Sequence, residues 1–239
     1  MKTAFALLLV LLTVQTSSAQ TETESKEVPV FRLLGMGVRG EGLFYMLDGV
    51  DVPVAFGEDF RSPFYQRPKG QTLELYRLEA QPDGTNVRKP VATTSIPGGM
   101  KFPLVLLVKN PSGIVAQILD DGPETMPGGA YRVLNRLDYD VGLLAGKDPT
   151  VVRGLSDLVI AGKPGGEGRT IFIQLFRLGG SERKLLFSNN WAFSNQVRTL
   201  VVVTPPLPPS ELPVVRRIVE PLDALSNPQP LAVAKPKSP

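Results

Sequence analysis

The sequence predicts an all-β protein built from two similar β-sandwich units that follow a signal peptide. Three observations lead to this fold class. Gly and Pro are abundant, with 23 of each among 239 residues, against about 12% for the two together in average proteins. Short apolar runs alternate with turn residues along most of the chain. The chain also resembles itself when it is shifted by about 100 residues.

The composition excludes several classes of function. The chain contains no His and no Cys, so we expect no cofactor or metal of the kinds that imidazole and thiolate groups hold. Ser-His-Asp and Cys-His catalysis are excluded for the same reason. The formal net charge of +3 is too small to indicate binding to nucleic acid or to an anionic membrane.

The first 19 residues predict a signal peptide. Lys2 supplies the positive start, and residues 4–14 form an apolar stretch of 11 residues, which is shorter than the ~20 residues of a membrane-spanning helix. Ser17 and Ala19 are small residues suited to cleavage before Gln20. We therefore expect an exported mature chain, periplasmic or extracellular, without a transmembrane anchor. A buried N-terminal helix is the alternative.

The internal match is collinear along the chain. The matched segments are 31–34 with 131–134, 47–49 with 144–146, 75–78 with 175–178, 104–107 with 200–203, and 114–119 with 214–219. Arginines recur at the same places, Arg32 with Arg132 and Arg77 with Arg177. These arginines carry more weight than the apolar matches, because any two β-rich stretches share apolar residues. We interpret the pattern as an internal duplication.

The duplication gives the domain boundaries. The two copies span residues 30–121 and 130–221. Residues 20–29 are a linker and residues 122–129 a turn-prone connector rich in Pro and Gly. Residues 222–239, which contain four Pro after position 225, are expected to be a flexible tail.

The first copy reads as seven strands separated by turn residues. They are predicted over 28–34, 43–47, 50–56, 73–78, 91–96, 103–108 and 114–119. Asp48-Gly49 between the second and third predicts a two-residue hairpin, since both central positions of a type I′ turn need positive φ. The run from Pro103 to Val108 is apolar throughout and predicts a strand buried on both faces. Seven strands at this spacing are typical of an immunoglobulin-like sandwich.

The second copy repeats the plan. Its strands are predicted over 131–135, 141–144, 150–152, 158–161, 170–178, 184–187, 197–203 and 214–219. Ser210 to Leu225 could instead form a short helix with Ser210 as its N-cap. The β-branched residues of this segment favour a strand.

Two glycine-rich runs resemble nucleotide-binding loops. Residues 35–40 match G-x-G-x-x-G, but a β-hairpin follows where a dinucleotide site needs a helix. In residues 162–168, Pro164 stands where a P-loop has Ser or Thr. Both runs are interpreted as turns.

The acidic pairs Glu58-Asp59 and Asp120-Asp121 are weak candidates for chemistry. Neighbouring residues of a strand point to opposite faces, so neither pair forms a carboxylate dyad alone. Converging loops could still bring carboxylates together around Ca²⁺, although the chain has no EF-hand loop.

The candidate binding residues are Trp191, Arg216 and Arg217. Trp191 is the single Trp, interpreted as a core anchor, with stacking on a sugar ring as the alternative. Arg216 and Arg217 lie on the last strand of copy two, which is a plausible edge for pairing with a partner. The four recurring arginines are interpreted as structural, their stems covering apolar surface.

The run Pro127-Gly128-Gly129-Ala130-Tyr131-Arg132-Val133-Leu134-Asn135 resembles the strand opening of uncharacterised exported bacterial proteins with tandem immunoglobulin-like sandwich units. Together with the duplication, the resemblance covers residues 30–221. It implies a fold and a compartment, and it implies no catalytic residues.

These observations predict a non-catalytic exported binding or structural module of the cell envelope, with an envelope protein or a polysaccharide as partner. A carbohydrate-binding protein is the first alternative, indicated if Trp191 is exposed beside other aromatic residues. A carboxylate-dependent, glycosidase-like enzyme is the second, indicated if two carboxylates face each other about 5–10 Å apart in a cleft.

Overall fold

The computed structural model describes residues 28–164, 169–179 and 183–232. The expected signal peptide and residues 20–27 lie outside the described residues. Within them the chain forms sixteen β-strands in four sheets of four, followed by one short 3-10 helix. The predicted all-β class is confirmed.

The first sandwich contains eight strands. They are β1 (Val30–Met36), β2 (Phe44–Leu47), β3 (Val50–Pro53), β4 (Tyr65–Gln66), β5 (Thr72–Ala80), β6 (Asn86–Ser95), β7 (Pro103–Asn110) and β8 (Gly113–Asp120). One sheet has the order β4-β1-β7-β8 and the other β3-β2-β5-β6. All seven predicted strands are present, with ends moved by a few residues. The two-residue strand β4 was not predicted.

The second sandwich also contains eight strands. They are β9 (Ala130–Asn135), β10 (Val141–Ala145), β11 (Asp148–Val152), β12 (Asp157–Ala161), β13 (Thr170–Arg177), β14 (Lys184–Ala192), β15 (Val197–Thr204) and β16 (Val214–Pro221). Its sheets have the orders β12-β9-β15-β16 and β11-β10-β13-β14. Each order is that of the first sandwich with eight added to every strand number, which supports the internal duplication.

The strand registers of the two sandwiches also agree. Arg32 lies beside Leu104 in the parallel pair β1–β7, and Arg132 lies beside Leu200 in the parallel pair β9–β15. In the fifth strand of each sandwich the register shifts at the same place, between Leu75 and Tyr76 and between Leu175 and Phe176. The matched arginines therefore occupy equivalent positions.

The register corrects two parts of the sequence match. Leu119 faces Leu104 and Ile218 faces Leu200, so Leu119 corresponds to Ile218, and not to Val219 as the match of 114–119 with 214–219 had it. Leu47 faces Val50 across the first hairpin, and Ala145 faces Asp148 across the corresponding hairpin of copy two. The equivalent of Leu47 is therefore Ala145, and not Leu144 as the sequence match had it. Asp48 and Gly49 both have positive φ, 47° and 86°, as the predicted type I′ turn requires.

Each sandwich encloses its own hydrophobic core. The first core contains Phe31 and Leu33 from β1 and Leu73 and Leu75 from β5. The second contains the equivalent residues of β9 and β13, together with Trp191. The alternation of inward and outward residues along these strands determines which apolar side chains enter each core.

A third hydrophobic core lies between the sandwiches. Its buried residues are Leu34, Met36, Leu104, Leu106 and Leu119 from the first sandwich and Leu134, Leu200, Val202 and Ile218 from the second. These residues belong to the sheets β4-β1-β7-β8 and β12-β9-β15-β16, which we call the inner sheets. The other two sheets are the outer sheets. The four sheets are therefore layered face to face, which explains why β1 and most of β7 are buried on both faces.

The strand order differs from that of a constant-type immunoglobulin domain. In a constant-type immunoglobulin domain the second and third strands lie in opposite sheets. Here β2 and β3 form a hairpin within one sheet, as β10 and β11 do. The structure therefore supports two β-sandwiches, with a strand order different from the constant-type immunoglobulin order.

The chain after β16 is more ordered than expected. Strand β16 ends at Pro221, and Leu222–Leu225 form the 3-10 helix. Leu225 is buried, and the backbone N–H of Leu231 donates to the carbonyl of Phe64 at 2.9 Å. This part of the expected flexible tail is therefore joined to the first sandwich at Leu231, and residues 233–239 of that tail lie outside the described residues. The alternative of a helix from Ser210 is limited to its last turn.

Candidate functional site

Trp191 is a core residue. Its exposed fraction is 6%. Its ring stacks on Tyr131 with centroids 6.0 Å apart, and the Arg217 guanidinium lies 5.1 Å from the indole centroid. The indole is therefore buried among protein side chains, which does not suit the alternative of stacking on a sugar.

Arg216 and Arg217 lie on an edge strand, as the sequence analysis expected, since β16 pairs only with β15. Both side chains already have partners within the chain. Arg216 pairs with Glu58 at 2.7 Å and with Asp59 at 3.5 Å, which joins the two sandwiches. Arg217 donates to the carbonyl of Ala192 at 3.1 Å.

The glycine-rich runs are turns where they are described. Residues 37–43 connect β1 to β2 without a helix, so they provide no helix N-terminus for a phosphate. A β-carbon on Gly35 would lie 1.9 Å from the carbonyl oxygen of Val38, which explains the glycine by close packing. The second run lies partly outside the described residues, which omit 165–168.

A buried cluster of charged side chains joins the two inner sheets. Three arginines, Arg32, Arg61 and Arg198, surround the carboxylates of Asp121 and Glu220. Asp121 is 1% exposed, and its Oδ2 accepts hydrogen bonds from Arg32 at 2.9 Å, Arg61 at 2.8 Å and Arg198 at 3.0 Å. Glu220 accepts hydrogen bonds from Arg32 and Arg198. Because both copies contribute members, the cluster fixes how the sandwiches sit on each other.

The charge cluster is unsuited to acid–base chemistry. Burial raises the pKa of Glu220, but the hydrogen bond from Arg32 and the charges of Arg61, Arg32 and Arg198 outweigh burial and lower it to about 2. A glycosidase needs one carboxylic acid whose pKa is raised so that it can give up a proton near neutral pH. Glu220 stays ionised and Asp121 is enclosed by arginines, so this pair of carboxylates does not support the enzyme alternative.

The other recurring arginines have different surroundings. Arg132 donates to the backbone carbonyl of Asp120 at 2.7 Å and lies 3.4 Å from Asp157. Arg177 lies over the ring of Tyr139 at 4.4 Å, whereas Arg77 is exposed on β5. Arg32 and Arg132 are buried at the inner sheets, which fits the structural interpretation for that pair.

The two outer sheets differ at one central position of their solvent-facing side. In the first sandwich, Phe44 lies between its cross-strand partners Pro53 and Tyr76. At the equivalent position of the second sandwich, Gly142 lies between Val151 and Phe176. Gly142 brings no side chain to the middle of this row of three, and Leu178 covers part of the gap, since a β-carbon on Gly142 would lie 3.0 Å from Leu178 Cδ2. We call the depression beside these residues the hollow at Gly142.

The hollow at Gly142 has a volume of about 250 Å³. It is lined by Gly142, Leu143, Leu144, Pro149, Thr150, Val151, Phe176, Leu178 and Arg183. Most of these residues are apolar, and Arg183 carries the only charge among them. Val151 is 50% exposed, so an apolar wall faces solvent. Ligand pockets are usually lined by apolar side chains with a few polar groups among them.

The equivalent face of the first sandwich is polar. The Tyr76 hydroxyl donates to Asp51 Oδ1, Arg88 Nε donates to the same oxygen at 2.9 Å, and the Arg88 guanidinium lies 5.5 Å from the Tyr76 ring centroid. Burial, followed by the hydrogen bond to Asp51, raises the pKa of Tyr76 to about 12. This face also has a depression, lined by the charged residues Asp48, Lys69, Glu74 and Arg88.

The comparisons with known proteins give no family. No protein-family model matches the chain, and no curated protein matches it. No three Asp or Glu side chains of the described residues gather closely enough to hold a metal ion. No helix within residues 28–164, 169–179 and 183–232 is long and apolar enough to cross a membrane.

Sequence reasoning missed both the hollow and the charge cluster. The sequence held two signals of the hollow, and the first is that Tyr76 and Phe176 differ inside the matched segments around Arg77 and Arg177. A second signal is the dipeptide Arg88-Lys89, which the register places opposite β5 as Arg183-Lys184 is placed opposite β13. The charge cluster had no such signal, because its members are scattered along the chain.

Proposed function

We propose that the protein is an exported, non-catalytic binding module of the cell envelope and that the hollow at Gly142 is its binding site. The two copies share strand order and register, so fold constraints act equally on both outer faces. One face nevertheless has an apolar hollow, while the other has a polar network. This difference between equivalent faces is the observation that carries the proposal, because structural needs alone do not require it.

The hollow suits an apolar group of modest size. Its volume of about 250 Å³ lies just below the ~300–1,000 Å³ of pockets for drug-sized ligands. Burying an apolar group there would remove the exposed surfaces of Val151 and the half-buried Phe176 from water. Within the part of the chain that the structure describes, Arg183 is the only charged residue lining the hollow and no carboxylate lines it, which favours binding over acid–base turnover.

A direct binding measurement tests this site. The mature chain would be titrated with the uncharged probe 3-phenylpropan-1-ol while the amide signal of Gly142 is followed by NMR. We expect saturable binding that perturbs Gly142, Val151 and Phe176. The variant Gly142→Phe places in copy two the residue that copy one has at Phe44, and it should abolish binding.

A matched variant on the other face controls for general effects. Met46→Phe adds bulk to the outer face of the first sandwich, and it should leave binding unchanged. Loss of binding in both variants, or retained binding in a folded Gly142→Phe protein, would remove the hollow as the site. Circular dichroism verifies that each variant is folded.

Export is a separate part of the proposal. It rests on the sequence of the first 19 residues, with Lys2, the apolar stretch 4–14 and the small residues Ser17 and Ala19. N-terminal sequencing of protein recovered from the periplasm or medium should start at Gln20. Recovery of the chain only from the cytosol, with Met1 retained, would rule export out.

A further inference from the structure

The first sandwich contains a complete recognition unit for a carboxylate. Arg88 pairs with Asp51, with 2.8 Å between Arg88 Nη2 and Asp51 Oδ1 and 2.9 Å between Nε and the same oxygen. The guanidinium also covers the Tyr76 ring. Charge-assisted contacts of this kind are stronger than neutral hydrogen bonds, and Asp51 supplies its carboxylate from the neighbouring strand β3.

The second sandwich keeps the cation and the ring of this unit and lacks the acid. Arg183 directly precedes Lys184, which faces Arg177, as Arg88 directly precedes Lys89, which faces Arg77. Phe176 replaces Tyr76, and Pro149 replaces Asp51. Among the residues that the structure describes, no carboxylate lies within ion-pair distance of Arg183.

We propose that the ligand of the hollow is a small apolar carboxylic acid, whose carboxylate takes the place at Arg183 that Asp51 occupies beside Arg88. This inference rests on the proposed function, because it names the ligand class of the same site. The apolar part of the acid lies against Val151, Phe176 and Leu178, beside Gly142. The carboxylate meets the guanidinium at the rim, where both remain in contact with water.

The chemistry of the lining favours a small apolar acid over a hydrocarbon or a sugar. A hydrocarbon would leave the guanidinium of Arg183 without a partner, whereas a sugar would place hydroxyl groups against Val151, Phe176 and Leu178. Arginine binds a planar carboxylate with charge-assisted hydrogen bonds, whereas a neutral alcohol oxygen offers no opposite charge. The limited volume favours a free acid of small size over a larger partner.

Paired probes test the carboxylate directly. The mature chain would be titrated by calorimetry with 3-phenylpropionate and with 3-phenylpropan-1-ol, which differ only at the polar end. We expect the acid to bind about 2- to 5-fold more tightly, the range for an ion pair that remains in contact with water. Arg183→Gln should reduce acid binding to the level of the alcohol and leave alcohol binding unchanged.

A graft from the first sandwich provides the sharpest variant. Pro149→Asp combined with Phe176→Tyr installs in copy two the acid and hydroxyl of Asp51 and Tyr76. The new aspartate should pair with Arg183 and repel the acid probe, so the preference for acid over alcohol disappears. Arg88→Gln in the first sandwich is the matched control and should leave both probes unaffected.

The outcomes separate the two proposals. Equal binding of acid and alcohol by the natural protein would overturn the carboxylate inference and leave the hollow as a binding site. Absence of binding by either probe would overturn both. A preference for the acid that survives Arg183→Gln would also contradict the inference, since another cation would then be responsible.

Discussion

At the scale of single residues, Asp121 is a buried carboxylate whose charge is balanced by arginines. It is buried and accepts hydrogen bonds from three arginines, one of them from the other copy. A buried ion pair adds little net stability compared with apolar residues, but removing one partner leaves a charge buried without compensation. The cluster therefore affects the free energy of unfolding most strongly when one of its members is removed.

Replacing Asp121 by Ala should destabilise the protein severely. The change leaves Arg32, Arg61 and Arg198 facing Glu220 alone, and such losses cost about 3–5 kcal/mol. Urea unfolding measures the difference in free energy. Lys69→Ala is the control, because its ion pair with Asp48 is exposed and should contribute less than about 1 kcal/mol. Similar effects for both variants would contradict the prediction.

Glu220 should make stability depend on pH in the acid range. Its pKa falls from an ordinary value of 4.5 to about 2 in the folded protein. A carboxyl group with a lowered folded pKa stabilises the protein above its unfolded pKa, and that contribution is lost as the pH falls through the folded pKa. We therefore expect the contribution to be complete above about pH 5 and to disappear towards about pH 2.

The variant Glu220→Gln isolates this contribution. A neutral amide resembles the protonated acid, so the stability gap between the natural protein and the variant should be largest at neutral pH and shrink below pH ~5. Urea midpoints at several pH values measure the gap. A gap that stays constant down to pH ~2 would show that Glu220 does not titrate as described.

At the scale of single elements, the hairpin between β2 and β3 depends on its turn. Asp48 and Gly49 adopt φ of 47° and 86°. A β-branched residue at positive φ is strained, and backbone strain of this kind costs about 1–3 kcal/mol. The turn was predictable because a two-residue loop between two antiparallel strands adopts one of a few turn conformations.

Replacing Gly49 by Val should therefore destabilise the protein by about 1–3 kcal/mol. The reason lies in the backbone alone, since a β-carbon at Gly49 would meet no atom within 4 Å. Gly99→Ala serves as the control, because that glycine also faces open space and its φ is not in the positive range. Thermal unfolding measures both variants, and equal stabilities would count against the turn argument.

The elements were predictable from sequence to different degrees. Runs such as 103–108 were predicted as strands because a short apolar run bounded by turn residues is typical of a buried strand and is shorter than a typical helix. Strand β4 was missed, since Tyr65 and Gln66 are too few to form a pattern. The one-residue error in matching Leu47 arose because Asp48-Gly49 and Gly146-Lys147 share no residue at equivalent turn positions.

The candidate site was less predictable than the fold. Gly142 stands out only when its cross-strand partners Val151 and Phe176 and its equivalent Phe44 are known. These relations follow from the strand register, which the sequence alone does not give. Trp191 was correctly favoured as a core anchor, because a large apolar residue has most to gain from burial. Its alternative role needed an exposed indole, which sequence could neither establish nor exclude.

At the scale of the whole molecule, the third core and the charge cluster are shared by both sandwiches. Leu34 and Leu106 pack with Leu134 and Val202 in one buried cluster. Separating the sandwiches would expose this apolar surface and leave Asp121 and Glu220 without part of their partners. The two copies should therefore unfold together rather than as independent domains.

The single tryptophan makes this prediction testable. Trp191 lies in the second core, so its fluorescence follows the second sandwich, whereas circular dichroism follows both. Leu75→Ala truncates a residue of the first core and should cost about 2–5 kcal/mol. We expect it to lower the urea midpoint seen by Trp191 fluorescence as much as the midpoint seen by circular dichroism.

Independent sandwiches would give a different result. The Trp191 transition would then keep its midpoint in Leu75→Ala, while circular dichroism would divide into two steps. The matched variant in the second core is Leu175→Ala, at the equivalent position of β13. It should shift both signals whichever description holds, and it calibrates the size of the effect.

The third core joins equivalent positions of the two copies, with Leu34 and Leu134, Leu104 and Leu200, and Leu119 and Ile218 in one cluster. An interface in which a patch meets its own copy is the isologous contact of a two-fold homodimer. A single ancestral unit with this patch would already pair with itself. With both halves of the interface in one chain, their sequences are free to differ, as Phe44 and Gly142 do on the two outer faces.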